Sequence, residues 1–136
     1  MQTSWMLTLN NYDFGKVAQE CLKVPEAMIP VCFQSYGRDV AGNVLRDPAK
    51  IVPLCEKVPT AYRDRCVYGA ENVIVDFWGP NLKSQAADFC ALVAPALKAG
   101  CYSVLVARFS DLYSDPKIVR ERCEEFEPDY RSLCAL

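Results

Sequence analysis

The chain contains no histidine. That removes the commonest general base near neutral pH and the commonest metal ligand. It excludes histidine-dependent triads and dyads, zinc sites that draw on His, and c-type haem attachment. No apolar run reaches the roughly 18 residues of a transmembrane helix, so no membrane span is expected. Cys-x-x-Cys never occurs, which leaves a thioredoxin-like redox site without support. Neither sign of charge is in excess: 15 Lys and Arg are scattered among 17 Asp and Glu, for a net charge of −2. Binding along a phosphate backbone needs clustered cations, so nucleic acid is excluded as a partner. Met1 to Leu9 carries a short apolar patch but no basic n-region and no h-region, so no signal peptide is expected in this chain. The 6 glycines form no phosphate-binding motif. These residues imply no cofactor, no resident metal and no catalytic group.

What the chain does have is cysteine, and the cysteines are regular. Cys21 and Cys32, Cys55 and Cys66, Cys90 and Cys101, and Cys123 and Cys134 are each separated by ten residues, and the first members step by 34, 35 and 33. A fixed period of that size marks a repeat architecture. Eight or nine residues before each first cysteine stands an N-cap type of residue: Asp13, Asp47, Asn81 and Asp115. Pro48 and Pro116 follow two of them at the first helical position, where the missing N–H costs nothing. Four or five residues after each first cysteine comes Pro25, Pro59, Pro95 or Pro128, which closes one helix and opens the next. Each unit is therefore expected to hold a short helix (14–23, 48–57, 82–93, 116–126), a turn at Pro, and a second helix (26–45, 60–78, 96–113, 129–136). The last of these is a stub, and the first 12 residues are expected to hold the end of a preceding helix.

Eight cysteines permit about 105 pairings. Unit length drifts by a residue or two while the gap inside each pair does not, and Cys134 has its nearest partner in Cys123. The expected bridges are 21–32, 55–66, 90–101 and 123–134, each stapling one αα-hairpin. Zinc ligands usually come as Cys-x2–4-Cys, which this spacing does not match. Copper(I) storage on soft thiolates and redox-active thiols are the remaining alternatives.

Glu71 and Asn72 interrupt an apolar helical stripe that includes Val67, Ile74 and Trp78. Arg38 and Arg108 occupy nearly the same position in neighbouring units, so stacking would set Arg38, Glu71 and Arg108 in a row. A buried carboxylate needs such partners. The row would be either a register-fixing polar ladder or a binding spot. Phe33, Tyr36, Tyr62, Tyr68 and Tyr102 cluster about the second cysteines, as core around the bridges or, for some tyrosines such as Tyr68 and Tyr102, as lining of a recognition groove. Gly37, Gly42 and Gly69 fall inside second helices, where close approach of a neighbour would compensate their helix cost of about 1 kcal/mol.

The 34-residue period, the paired antiparallel helices and the Pro or Asp-Pro junctions resemble the tetratricopeptide-type and Sel1-like α-solenoid families, closest in spirit to cysteine-rich Sel1-like proteins that bacteria secrete. The likeness covers about 13–136. The run Cys66-Val67-Tyr68-Gly69-Ala70-Glu71-Asn72 is similar to the Cys-aromatic-Gly helices of uncharacterised bacterial repeat proteins. What the solenoid resemblance implies is protein or peptide binding on a concave face. The expectation is thus a single all-α domain over 1–136. It is a right-handed stack of antiparallel helical hairpins, about 3.5 repeats in units 13–46, 47–80, 81–114 and 115–136, with four intra-repeat disulfides. Cysteine usage places it outside the cytoplasm, periplasmic or secreted. The expected role is a binding or scaffold module for another protein or peptide. The rival readings are a carrier of a small lipid or pigment and an accessory subunit of an enzyme. A homo-oligomer or membership of a longer repeat protein would cover the uncapped last unit.

Overall fold

The computed structural model describes residues 4–78 and 83–134, and every regular element among them is helical. The α-helices in chain order are α1 (Ser4–Leu9), α2 (Phe14–Cys21), α3 (Ile29–Asn43), α4 (Pro48–Cys55), α5 (Arg63–Trp78), α6 (Lys83–Leu92), α7 (Pro95–Leu112) and α8 (Pro116–Cys123). Single 3-10 turns, Glu26–Met28 and Thr60–Tyr62, lead into α3 and α5, and a 3-10 segment, Pro128–Cys134, follows α8. Among the described residues, no helix is long and apolar enough to cross a membrane.

Three of the four expected caps are formed. Asp13 Oδ1 accepts from Lys16 N at 3.1 Å, Asp47 Oδ1 from Ala49 N at 3.1 Å, and Asp115 Oδ1 from Lys117 N at 2.9 Å. Pro48 and Pro116 stand at the first turn of α4 and α8. The fourth, Asn81, lies outside the described residues.

The helix ends differ from the spacing rule. α2, α4 and α8 stop at their cysteines instead of running two or three residues further. The residue before a proline is pushed to extended backbone, so the chain spends three residues after the cysteine to reverse direction ahead of Pro25 and Pro59, and four ahead of Pro128. Pro25 and Pro59 then cap 3-10 turns rather than α-helices, whereas Pro95 sits directly in the first turn of α7. The described part of the expected stub over 129–136, as far as Cys134, is 3-10 rather than α.

The junctions repeat as well. After α1, Asn11 and Tyr12 take left-handed backbone (φ 53° and 60°) before Asp13, and after α3, Leu45 and Arg46 do the same (φ 55° and 61°) before Asp47. Matching bonds close both, Tyr12 N to Leu7 O and Arg46 N to Ala41 O, at 2.7 and 2.8 Å. Positions 13 and 47 are 34 apart, so α1 stands to α2 as α3 stands to α4. The first 12 residues do hold a helix with buried Met6 and Leu7, as the pattern implied.

The bridges are 21–32, 55–66, 90–101 and 123–134, with Cα separations of 5.6, 5.6, 5.5 and 6.2 Å, and all eight sulfurs are paired. Each joins the last residues of a first helix to the element that follows its turn. α3 packs on α5 and α5 on α7, while α4 packs on α6. The two seams of the central row differ. At α3/α5 the backbones touch: a Cβ on Gly37 would overlap the carbonyl of Cys66, and one on Gly69 the carbonyl of Gln34. At α5/α7 a side chain intervenes, since Gly100 faces the hydroxyl of Tyr68. Gly42 meets nothing, so close approach explains two of the three helical glycines.

Candidate functional site

Glu71 is the only fully buried charged-type residue among those described, and it lies on the α5 face that meets α7 and α6. Its Oε1 stands 3.5 Å from Cys90 Sγ and 3.6 Å from Cys101 Sγ, the two halves of one disulfide. A disulfide sulfur carries no proton. The contact becomes a hydrogen bond only when the carboxyl supplies one, with O–H donating to sulfur. Burial pushes the Glu71 pKa well above the ordinary carboxyl value, which favours that neutral form. Its Oε2 has no hydrogen-bond partner.

This arrangement corrects the expected charge row. Arg38 is exposed, and Arg108 pairs with Asp111 at 3.6 Å on its own helix. Glu71 instead faces a disulfide, and its pKa is raised, the direction that burial imposes on a carboxyl. Asn72 is half-buried beside it on α5. Glu71, Cys90 and Cys101 bring three potential metal-ligand atoms within 4.8 Å. While the sulfurs are bonded to each other they offer no thiolate, the form a metal would need.

One turn before Glu71 on α5 is Val67, and one turn before Cys101 on α7 is Leu97. Between them, at the junction of α4, α5, α6 and α7, lies a small pocket of about 50 Å³ that is partly open to solvent. Val52, Cys55, Val67, Val93 and Leu97 make it largely apolar, and Arg63 and the exposed Glu56 are its charged lining residues. The Arg63 guanidinium is fixed: Nε donates to Val58 O at 2.8 Å and Nη2 to Glu56 O at 2.9 Å. Arg131 repeats this clamp in the last hairpin, donating through Nε to Phe126 O at 3.1 Å.

The pocket has a reason that appears when positions are counted from the second cysteine of each pair. One residue after it stand Phe33, Val67 and Tyr102, and four residues before it stand Tyr62, Leu97 and Tyr130. Across the first seam Phe33 stacks on Tyr62 with ring centroids 5.2 Å apart. Across a third seam, between α7 and the Pro128–Cys134 segment, Tyr102 stacks on Tyr130 at 4.8 Å. The middle seam puts Val67 opposite Leu97, two smaller side chains with no ring, and there the cavity opens.

The remaining candidates have structural partners. Tyr36 is buried and donates to Leu54 O at 2.8 Å, tying α3 to α4. Tyr102 donates to Glu127 Oε2 at 2.8 Å, and Lys98 pairs with Glu127 Oε1 at 2.9 Å. Lys98, and after it the Tyr102 hydroxyl, hold the Glu127 carboxyl below its ordinary pKa. Tyr68 is half-buried, its pKa raised first by burial and then by Asp64. The structure therefore does not gather Arg38, Glu71, Asn72, Tyr68, Tyr102 and Arg108 into one site; it places Glu71 behind a pocket lined by other residues. Val67, Leu97 and Arg63 were not singled out by the sequence, although the alignment that exposed the cysteines carries the signal, as aliphatic residues at two positions where the neighbouring units have rings. No family model matches this sequence, and no curated protein or solved structure matches it.

Proposed function

We propose that this chain is a disulfide-stapled module of α-solenoid type from an exported protein, which binds another protein or peptide and performs no catalysis of its own. The apolar, solvent-open pocket at the α5/α7 seam is the observation that carries the reading. Its one fixed polar group is a guanidinium already committed to backbone carbonyls, which suits recognition rather than bond-making. The recurrence of caps, left-handed junctions and staples supports a stack of like hairpins, about 3.5 in number and right-handed by analogy with tetratricopeptide and Sel1-like proteins. Four disulfides are compatible with an oxidising, extracytoplasmic compartment. The same pocket gives the carrier reading little support, because the space it encloses, about 50 Å³, is too small for a lipid chain or pigment.

The test is selection of a random peptide library on the oxidised chain, with the reduced and alkylated chain as counter-selection. The reading predicts peptides that bind the oxidised chain saturably and lose binding when the bridges are opened. Enrichment no greater than on the alkylated control would refute it.

A further inference from the structure

We infer that the pocket between α5 and α7 is a receptor for a single aromatic side chain presented by the bound peptide, seated where the flanking seams carry their own stacked rings. The inference rests on the peptide-binding reading for its source of the ring. Three observations point to this chemistry. The first is positional. The two neighbouring seams fill the equivalent space with Phe33 on Tyr62 and Tyr102 on Tyr130, at 5.2 and 4.8 Å, while Val67 and Leu97 leave it unfilled. The surroundings that accept a ring twice in this chain are thus offered a third time without one.

The second observation is the wall. Val67 and Val93 are buried and branched, and Leu97 is half-buried, so together they offer methyl groups to one face of a flat group. The third is Arg63. Its guanidinium is held flat by two backbone carbonyls and lines the same opening. A fixed guanidinium gains from the electron-rich face of a ring and gains nothing comparable from an aliphatic group. Apolar walls alone would accept leucine as readily as phenylalanine, and Arg63 is what discriminates.

The probes are N-acetyl-phenylalanine amide, N-acetyl-tyrosine amide and N-acetyl-leucine amide, titrated into the full oxidised chain with methyl-labelled Val and Leu. The expected result is saturable shifts at the Val67, Val93 and Leu97 methyls with both aromatic amides and weaker binding of the leucine amide. Leu97→Tyr, which restores the pair found in the flanking seams, is expected to weaken the aromatic probes at least tenfold while the remaining spectrum is preserved. Should that variant not fold, Val67→Phe makes the same substitution from the other side. Arg63→Met is expected to reduce the aromatic-over-leucine preference by about two- to fivefold. Equal binding of all three amides, or aromatic shifts confined to other methyls, overturns the inference. The two readings fail separately. Selected peptides that bind without moving these methyls leave the module reading standing and remove the aromatic receptor. Aromatic amides that fill the pocket while no peptide is ever selected do the reverse.

Discussion

The α3/α5 and α5/α7 seams each join helices that carry the second cysteine of a bridge, and they differ in what lies between the helices. At α3/α5 nothing does: Gly37 and Gly69 let each backbone rest on the other, and Phe33 with Tyr62 closes the end. At α5/α7 the Tyr68 hydroxyl sits over Gly100, a buried carboxyl faces a disulfide, and Val67 opposite Leu97 leaves a pocket. One seam is sealed by main chain and the other is spaced by side chains. A seam spaced by side chains can adjust, and an adjustable apolar seam is where a partner finds room.

The sharpest way to break this comparison is to add one methyl group to each seam. Gly69→Ala is expected to cost about 3 kcal/mol or more, because the new Cβ meets a carbonyl that only a helix shift can move. Gly100→Ala is expected to cost less than about 1 kcal/mol, since the Tyr68 side chain can swing aside and alanine favours the helix. Urea unfolding of both variants measures the difference; equal losses would mean that the two seams are not distinct.

Next in size are the staples. Replacing Cys55 and Cys66 together by Ala is expected to remove about 2–4 kcal/mol, again read from urea unfolding. The same replacement at Cys90 and Cys101 closes a loop of equal length, a separation of 11 in each case, so chain entropy is matched. Any excess loss at 90–101 reports the packing around Glu71.

The pH dependence of stability isolates Glu71 itself. The folded chain holds the Glu71 proton more tightly than the unfolded chain does, because burial raises its pKa. That stabilisation is complete below the ordinary carboxyl range and is lost as pH rises to the folded-state pKa. Glu127 works in the opposite sense: its pKa is lowered by Lys98 and then by Tyr102, so its contribution is present above the ordinary range and fades as pH falls through the folded value. Glu71→Gln is expected to melt higher than the wild type at about pH 8 and to differ little at about pH 4, since glutamine mimics the protonated acid. Parallel melting curves at both pH values would mean that Glu71 is not held neutral.

The smallest effect belongs to the junction after α3. Leu45 is 77% exposed with φ 55°, a left-handed conformation that leucine rarely adopts. Leu45→Asn is expected to stabilise by about 0.5 kcal/mol in thermal melts, because asparagine tolerates that region.

Much of the frame was legible in the residues. Constant cysteine gaps predicted the bridges, Asp-Pro predicted the starts of α4 and α8, and proline position predicted the turns. These are local effects, and local sequence carries them. Helix ends were less legible because the turn ahead of each proline consumes residues that the periodicity alone assigns to the helix. The partner of Glu71 was illegible for a different reason. Reading the units as superimposable put Arg38 and Arg108 beside it, but side chains on neighbouring helices meet according to the spacing of the seam, and the Cys90–Cys101 bridge occupies that place. The pocket lay in between. Its cause, Val67 and Leu97 at ring positions, is written in the sequence, but it acquires meaning only once Phe33 on Tyr62 and Tyr102 on Tyr130 are seen to stack across the flanking seams.

Native-state amide hydrogen exchange tests the contrast between the seams most directly. The sealed seam predicts the slowest exchange in α3 and α5, with α7 opening in a lower-energy step that leaves those two helices protected. Protection of α7 equal to that of α3 and α5, with all three exchanging only on global unfolding, would contradict the account.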